Sequence, residues 1–402
     1  YKFYSLNPHP SMDLDVRATA LTTYNLNNIW TLNDYFRGIQ NQMDYLFSAQ
    51  SLGLSIDYIE IGQEYYLKPG VALDPDINGF ANRFPISSTP PYSQYGLEKI
   101  DWVLSAKTNF PSAKIAILGS IKDNSPFPNS RINIWNTRLI QVLQDVTYNP
   151  DSVYPDAITL HSYVFPTATD FTNINTWIQT SIESESTSIL TTINDFKTQW
   201  NLVSNLEFWI TEFGVTDDYD EISGSWAHGL YLISMLFKML EINDITMVIN
   251  NSLSSGRDYG MLFDRKNVFN AANTADKFDL SAGGLVFGMF NRSLNDSYGF
   301  DAIDFSSVST GLYGKIFTGG TSNYLLYSNV TENIFTLDLS SLLNGYTVNY
   351  YLIYDALPTL YVNKKDPSTL IKEFPNITSG YTISNIFSIT SPAFSVSYVE
   401  FT

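Results

Sequence analysis

The chain has 402 residues, 44% of them hydrophobic and 15% aromatic, enough apolar surface for a large core and for two domains. Forty acidic residues against 22 basic ones give a formal charge of −18, which excludes nucleic acid and acidic membrane surfaces as main partners, because both would repel it. There is no cysteine, so disulfides, thiolate metal sites and thiol nucleophiles are excluded, and no apolar run reaches the ~20 residues of a membrane span.

Along the first three-quarters, short β-rich runs alternate with helical patterns. "ALTTYNLN" (Ala20–Asn27) reads as a strand, followed by a helix over Asn33–Leu52 in which Phe36, Ile39, Met43 and Leu46 share a face and Gly53 marks the stop. Strand Ile56–Gln63 precedes a proline-rich loop to about Pro91, a helix at Glu98–Lys107 and strand Lys114–Ser120. Helix Arg131–Asp145, strand Ala157–Val164, helix Asn175–Trp200, strand Leu206–Glu212, helix Trp226–Leu240, strand Ile245–Asn251 and a helix at Leu280–Arg292 complete the series. Repeated βα units with buried strands imply a parallel sheet, and this many of them a TIM-type α/β barrel.

After about Tyr298 the texture changes. Alternating runs such as "GLYGKIF", "NYLLYS", "VNYYLIYDA" and "FSVSYVEF", punctuated by Gly, Asn, Ser and Pro, predict an all-β sandwich of about eight strands. The expected domains are therefore a (β/α) barrel over residues 1–297 and a β-sandwich over 298–402.

Chemistry concentrates at strand ends. In "YIEIGQE", Glu60, Gly62 and Glu64 share parity and face one side of the strand, with Glu64 last. "FWITEFG" again ends a strand on a glutamate, Glu212. The C-terminal ends of barrel strands are where catalytic groups collect, and two carboxylates across a cleft are what glycoside hydrolysis needs, one as acid/base and one as nucleophile. In "ITLHSYVF", Thr159, His161 and Tyr163 share parity, so His161 and Tyr163 are expected at the barrel mouth. A tyrosine there can hydrogen-bond a nucleophilic carboxylate. His9 and His228 lie far off in sequence, so no metal is expected, and no phosphate-loop spacing or G-x-S-x-G elbow suggests a cofactor or an esterase. Trp226 has two readings, a wall for a sugar ring or packing at a helix start; Asn251, Tyr65 and Tyr66 are candidate subsite residues.

These strand motifs in this spacing resemble the fourth to seventh strands of clan A retaining glycoside hydrolases, in the group that appends a β-sandwich to the barrel (arabinofuranosidase-like, xylosidase-like and heparanase-like enzymes). The ending "SPAFSVSYVEF" is similar to the last sandwich strand of the heparanase-like branch. The resemblance places the acid/base at Glu64, the nucleophile at Glu212 and the sixth-strand His-x-Tyr pair at His161 and Tyr163. It also implies an amide contacting the sugar 2-hydroxyl directly before the acid/base; the family usually has Asn there, and this chain has Gln63. The expected activity is retaining hydrolysis of a glycan without a cofactor. The alternative is a catalytically silent, structural or carbohydrate-binding glycoprotein that keeps the barrel.

With acidic residues in excess and no basic cluster beside the motifs, a polyanionic glycan is disfavoured. A secreted or cell-surface location is expected, and sequons at Asn250, Asn291, Asn295, Asn329 and Asn376 permit glycosylation. Only 19 residues precede the strand placed at Ala20–Asn27, too few for two further βα units of ~30 residues each. The first barrel strands are therefore expected from an upstream segment or a second chain.

Overall fold

The computed structural model describes residues 14, 19, 28–32, 38–62, 93–121, 130–200, 205–215, 222, 224–250, 254–255, 262–264, 278–294, 297, 299–303, 305, 308–338, 346–360, 374–384 and 388–402. They fall into two compact packing units, one from Tyr1–Ser162, Ser188–Glu212 and Asp244–Ile249, the other from Tyr163–Thr187, Phe213–Asn243 and Asn250–Thr402. The change from helices to strands near residue 298 is thus not the packing boundary, since the second unit also takes segments from between the barrel strands.

The first unit holds a six-stranded sheet in the order β1 (Ile29–Leu32), β2 (Tyr58–Ile61), β3 (Lys114–Leu118), β4 (Ala157–Val164), β5 (Glu207–Val215), β6 (Ile245–Val248). The registered pairs are parallel, with Glu60 opposite Thr31 on one side and Ala116 on the other. Helices α1 (Ile39–Ser51), α2 (Gln94–Asn109) and α3 (Ser130–Gln144) follow the first three strands, the short α4 (Ala168–Thr172) and long α5 (Ile174–Gln199) the fourth. Ser93 caps α2 by accepting from the Gly96 N–H at 3.0 Å, and Tyr95, Trp102, Val103 and Ala106 form its buried side.

Sequence order and spatial order coincide, as right-handed βαβ crossovers require of a barrel wall. One apolar cluster takes a residue from every strand: Ile29, Tyr58, Ala116, Ala157, Trp209 and Met247. A flat sheet spaces neighbouring strands by ~4.8 Å and would keep these side chains apart. They meet because the sheet curls, and the cluster is the bottom layer of a barrel interior. Burying a side chain the size of Tyr58 or Trp209 there is worth about 1.5–3 kcal/mol or more. Among the described residues no pairing joins β1 to β6, so the arc is open, a partial TIM barrel.

The strand expected at Ala20–Asn27 lies outside the described residues. The strand that pairs with β2 is Ile29–Leu32, in a stretch that helical periodicity alone left between elements. Its four residues are too few for alternation to stand out. Correspondingly, α1 begins at Ile39 rather than Asn33. Strand β5 runs on to Val215, so Glu212 lies inside it rather than at its last residue.

Two devices hold the C-terminal ends of β2 and β3. The Tyr95 hydroxyl donates to the Ile61 carbonyl at 2.5 Å and accepts from the Leu118 N–H at 2.9 Å. Asn136 of α3 makes both side-chain bonds to the Ser120 backbone, at 2.9 and 2.7 Å. Gly62, directly after β2, has φ 106°, a conformation that favours glycine and turns the chain out of the strand. At Gly119 a Cβ would stand 2.6 Å from Ile158 Cγ2, so only glycine lets β3 and β4 approach here.

In the second unit, α6 (Trp226–Met239) is buried on all sides and is capped by Ser225. A small sheet joins β7 (Ser254–Ser255), β8 (Leu262–Asp264) and β9 (Phe278–Leu280), followed by α7 (Ala282–Leu294). Eight further strands follow: β10 (Gly299–Ala302), β11 (Leu312–Thr318), β12 (Asn323–Asn329), β13 (Phe335–Asp338), β14 (Val348–Asp355), β15 (Asn376–Ser384), β16 (Ser388–Ser391) and β17 (Ser395–Phe401). Six form an antiparallel sheet in the order β10-β11-β12-β17-β14-β15, and β13 pairs with β16. Leu337 and Ile389 of that pair share a core with Leu325, Tyr327, Ile353, Val399 and Phe401 of the larger sheet. That shared core makes the expected sandwich.

Candidate functional site

Period-two alternation carries the barrel interior upward from its apolar layer. Two residues above Ile29, Tyr58, Ala157 and Trp209 stand Thr31, Glu60, Thr159 and Thr211, so the second layer is polar. Glu60 is its centre. Its carboxylate accepts from Thr211 Oγ1 at 2.9 Å and from Thr31 Oγ1 at 3.2 Å. Burial pushes the Glu60 carboxyl up, but the His161 contact, His161's charge and the Thr211 and Thr159 hydroxyls outweigh it and hold the group below the usual carboxylate value.

Two residues above Thr159 comes His161. Its Nε2 lies 3.5 Å from Glu60 Oε1, and its Nδ1 lies 3.8 Å from Glu212 Oε2. The imidazole therefore stands between two carboxylates, one deeper and one nearer the mouth. His161 is 2% exposed and Glu60 5%, whereas the Glu212 side chain is 12% exposed, the most open of the three. Glu212 reaches this cluster from the C-terminal part of β5, the end of a parallel sheet at which ligands bind.

The other expected residues divide clearly. Gln63 and Glu64, Tyr65 and Tyr66, and Asn251 lie outside the described residues. Tyr163 is half-buried, with its ring over Gly214, 3.7 Å from where a Cβ would stand. The sugar-wall reading of Trp226 is corrected. Its side chain is fully buried, its indole N–H donates to the Phe394 carbonyl at 2.7 Å, and its backbone N–H donates to the Leu360 carbonyl at 2.6 Å. Packing at a helix start is what this tryptophan does.

Two of the sequons are also corrected. Asn329 is buried, with its amide nitrogen donating to the Asn333 and Pro392 carbonyls and its oxygen accepting from the Thr331 N–H and hydroxyl. Asn250, just past β6, is 7% exposed, and neither polar atom of its side chain has a hydrogen-bond partner among the described residues. Asn291 and Asn376 are exposed, and Asn295 lies outside the described residues. No helix among the described residues is long and apolar enough to cross a membrane.

Glu60 is the site residue that sequence reasoning noticed without giving it a task. Its signal was an acidic residue on the same strand face as Glu64 in an otherwise apolar strand. The depth that makes it central depends on the curl of the sheet.

An arc of parallel βα units with acidic groups at its mouth, joined to a β-sandwich, is a glycoside-hydrolase-like fold. The chain is similar in structure, over 96% of its length and 78% of theirs, to the family 51 α-L-arabinofuranosidase of Bifidobacterium longum (TM-score 0.66, 14% identity) and to an α-L-arabinofuranosidase from Thermotoga maritima in complex with arabinose (0.60, 13%). It is also similar to a 4-O-α-L-rhamnosyl-β-D-glucuronidase from Fusarium oxysporum 12S (0.59, 15% identity, 96% of this chain and 79% of that one). At these identities the likeness is one of fold. By sequence, no family model and no curated protein matches the chain.

Proposed function

We propose that the chain is a retaining glycoside hydrolase in which Glu212 is the nucleophile and Glu64 the general acid/base. The observation that carries this reading is the Glu212 carboxylate on the C-terminal part of β5, beside His161 of the adjacent strand. In the first step a Glu212 oxygen attacks the anomeric carbon and forms an ester bond. The bond to the leaving oxygen breaks, and that oxygen takes the proton of Glu64. In the second step Glu64 removes a proton from water, the water oxygen attacks the same carbon, and Glu212 leaves as a carboxylate.

Arabinofuranosides and glucuronides are the first substrates to test, since proteins of similar fold act on them. A secreted or cell-surface location, where glycans are met, belongs to the same proposal.

The test is hydrolysis of a panel of aryl glycosides and polysaccharides, with product stereochemistry followed by NMR. Wild type is expected to release product with retained configuration, and Glu212→Gln to lose on the order of 10⁴-fold or more in kcat while remaining folded. Undiminished turnover by Glu212→Gln would reject the assignment. A wild type that binds glycans but turns over none would favour the carbohydrate-binding alternative.

A further inference from the structure

We propose that Glu60 is a positioning residue: from inside the barrel it holds His161 as an imidazolium, with Nε2–H directed at Glu60 and Nδ1–H at Glu212. The inference about catalysis rests on the reading of Glu212 as the nucleophile; the charge state of His161 does not.

A carboxylate inside a barrel is costly unless hydrogen bonds and an opposite charge compensate it. Thr31 of the neighbouring β1 and Thr211 of β5 across the hollow supply hydroxyl donors, but both are neutral. Among the described residues, the group within ion-pair distance of Glu60 that is able to carry a positive charge is His161.

The tautomers of the ring point the same way. A neutral imidazole has one N–H and one lone pair. Between Glu60 at 3.5 Å and Glu212 at 3.8 Å, its lone pair would face carboxylate oxygen on one side or the other. An imidazolium presents an N–H to each carboxylate, and at these separations its attraction to both is that of an ion pair rather than of short hydrogen bonds. The charged groups facing the ring among the described residues are Glu60 of β2 and Glu212 of β5; the hydroxyls of Thr159 on β4, Thr31 on β1 and Thr211 on β5 carry no charge.

The consequence for the reaction is a matter of charge. Before attack, Glu60, His161 and Glu212 together carry −1, matched to the positive charge that develops on an oxocarbenium-like sugar. Once Glu212 is an ester, Glu60 and His161 remain as a neutral pair. Without Glu60 a cationic imidazole next to the ester would have no counter-charge, so the ring gives up its proton and the pair is lost. Glu60 touches neither substrate nor reacting atoms in this scheme. It acts through the imidazole.

The experiment uses the full chain labelled with ¹⁵N-histidine. The sequence has three histidines, so the ring signals are few, and His161→Gln identifies the one of interest. His228 serves as an internal neutral reference, because its Nδ1 accepts from the Gly224 N–H at 3.1 Å. Wild-type His161 is expected to show two equivalent, protonated-type ring nitrogens at neutral pH. In Glu60→Gln it is expected to show one pyrrole-type and one pyridine-type nitrogen, with kcat down on the order of 10- to 100-fold and KM within about twofold.

A neutral His161 in the wild type, or an unchanged signature in Glu60→Gln, overturns the proposal. If Glu60→Gln does not fold, the wild-type spectrum alone decides the charge state. An imidazolium in a wild type that hydrolyses no glycoside upholds the Glu60–His161 pair and overturns only the hydrolase reading. An unchanged kcat in Glu60→Gln with a neutral His161 overturns the positioning role.

Discussion

Thr211 of β5 donates a 2.9 Å hydrogen bond to Glu60 of β2, although two strands separate theirs in the sheet. In a flat sheet those strands would lie about 14 Å apart, three spacings of ~4.8 Å. The bond therefore spans the hollow of a curled sheet, and it fixes one oxygen of the carboxylate that faces His161.

Glu60 makes stability depend on acid pH. Its carboxyl lies below the ordinary value in the folded state, so its contribution is present above the unfolded value near 4.5 and is lost as pH falls through the lower folded value. The stability advantage of wild type over Glu60→Gln is expected to shrink as pH falls below about 4.5. Urea denaturation midpoints of the two proteins, measured across that window, check this. A constant difference would show that Glu60 is not an ionised group in the native fold.

The placing of Glu64 has a geometric and a kinetic signature. Retention requires its carboxyl to lie about 5–5.5 Å from that of Glu212, and a separation beyond about 6.5 Å would mean inversion. A crystal structure with a bound inhibitor measures it. Glu64→Gln is expected to cost at least about 10²-fold on substrates with poor leaving groups and far less on activated aryl glycosides, which need no protonation. Equal losses on both would assign the acid/base elsewhere.

At the opposite end of the strands, Glu207 joins three of them. It pairs with Lys114 at the start of β3 and accepts from Thr246 Oγ1 of β6 at 2.9 Å and from Trp209 Nε1 at 3.2 Å. Burial raises its carboxyl, and these partners, Lys114 foremost, more than reverse that. Glu207→Ala is expected to cost about 1–2 kcal/mol in unfolding free energy, a value discounted for partial solvent access, with kcat and KM unchanged. Stability and kinetics measured on one preparation separate the two effects. A large loss of kcat in a folded variant would contradict the assignment of this end to stability.

Burial decides which sequons can carry a glycan. In chain expressed in a glycosylating host, peptide mass spectrometry is expected to find Asn250 and Asn329 unmodified in the folded fraction, since a glycan at either would need a buried amide to reach solvent. Asn291 and Asn376 have the exposure required. Occupied Asn329 in folded protein would mean that its four hydrogen bonds are dispensable.

Local periodicity was enough for much of this protein. The apolar strands at Lys114–Leu118 and Ala157–Val164, the capped helix at Trp226 and the alternating runs after Tyr298 stand within a few residues of where the sequence puts them. Parity placed Glu60 on one face of its strand, and strand-end position singled out Glu212. Such features depend on residues two to four apart, which is the range over which periodicity carries information.

Other features were settled only in three dimensions. A four-residue strand at Ile29–Leu32 shows itself by pairing with β2, since pattern is too weak at that length. Trp226 opens a helix buried on every side, so its exposure depended on what the Leu360 and Phe394 segments contribute from more than 130 residues away. Thr211 and Glu212 are neighbours, and strict alternation would send only one of them inward, yet both reach the Glu60–His161 cluster. Alternation says which face of a strand a residue occupies; the curl of the sheet decides what that face meets. Glu60 and Thr211 are 151 positions apart, and only the closing arc of strands, driven by burial of the apolar layer beneath them, brings the two together.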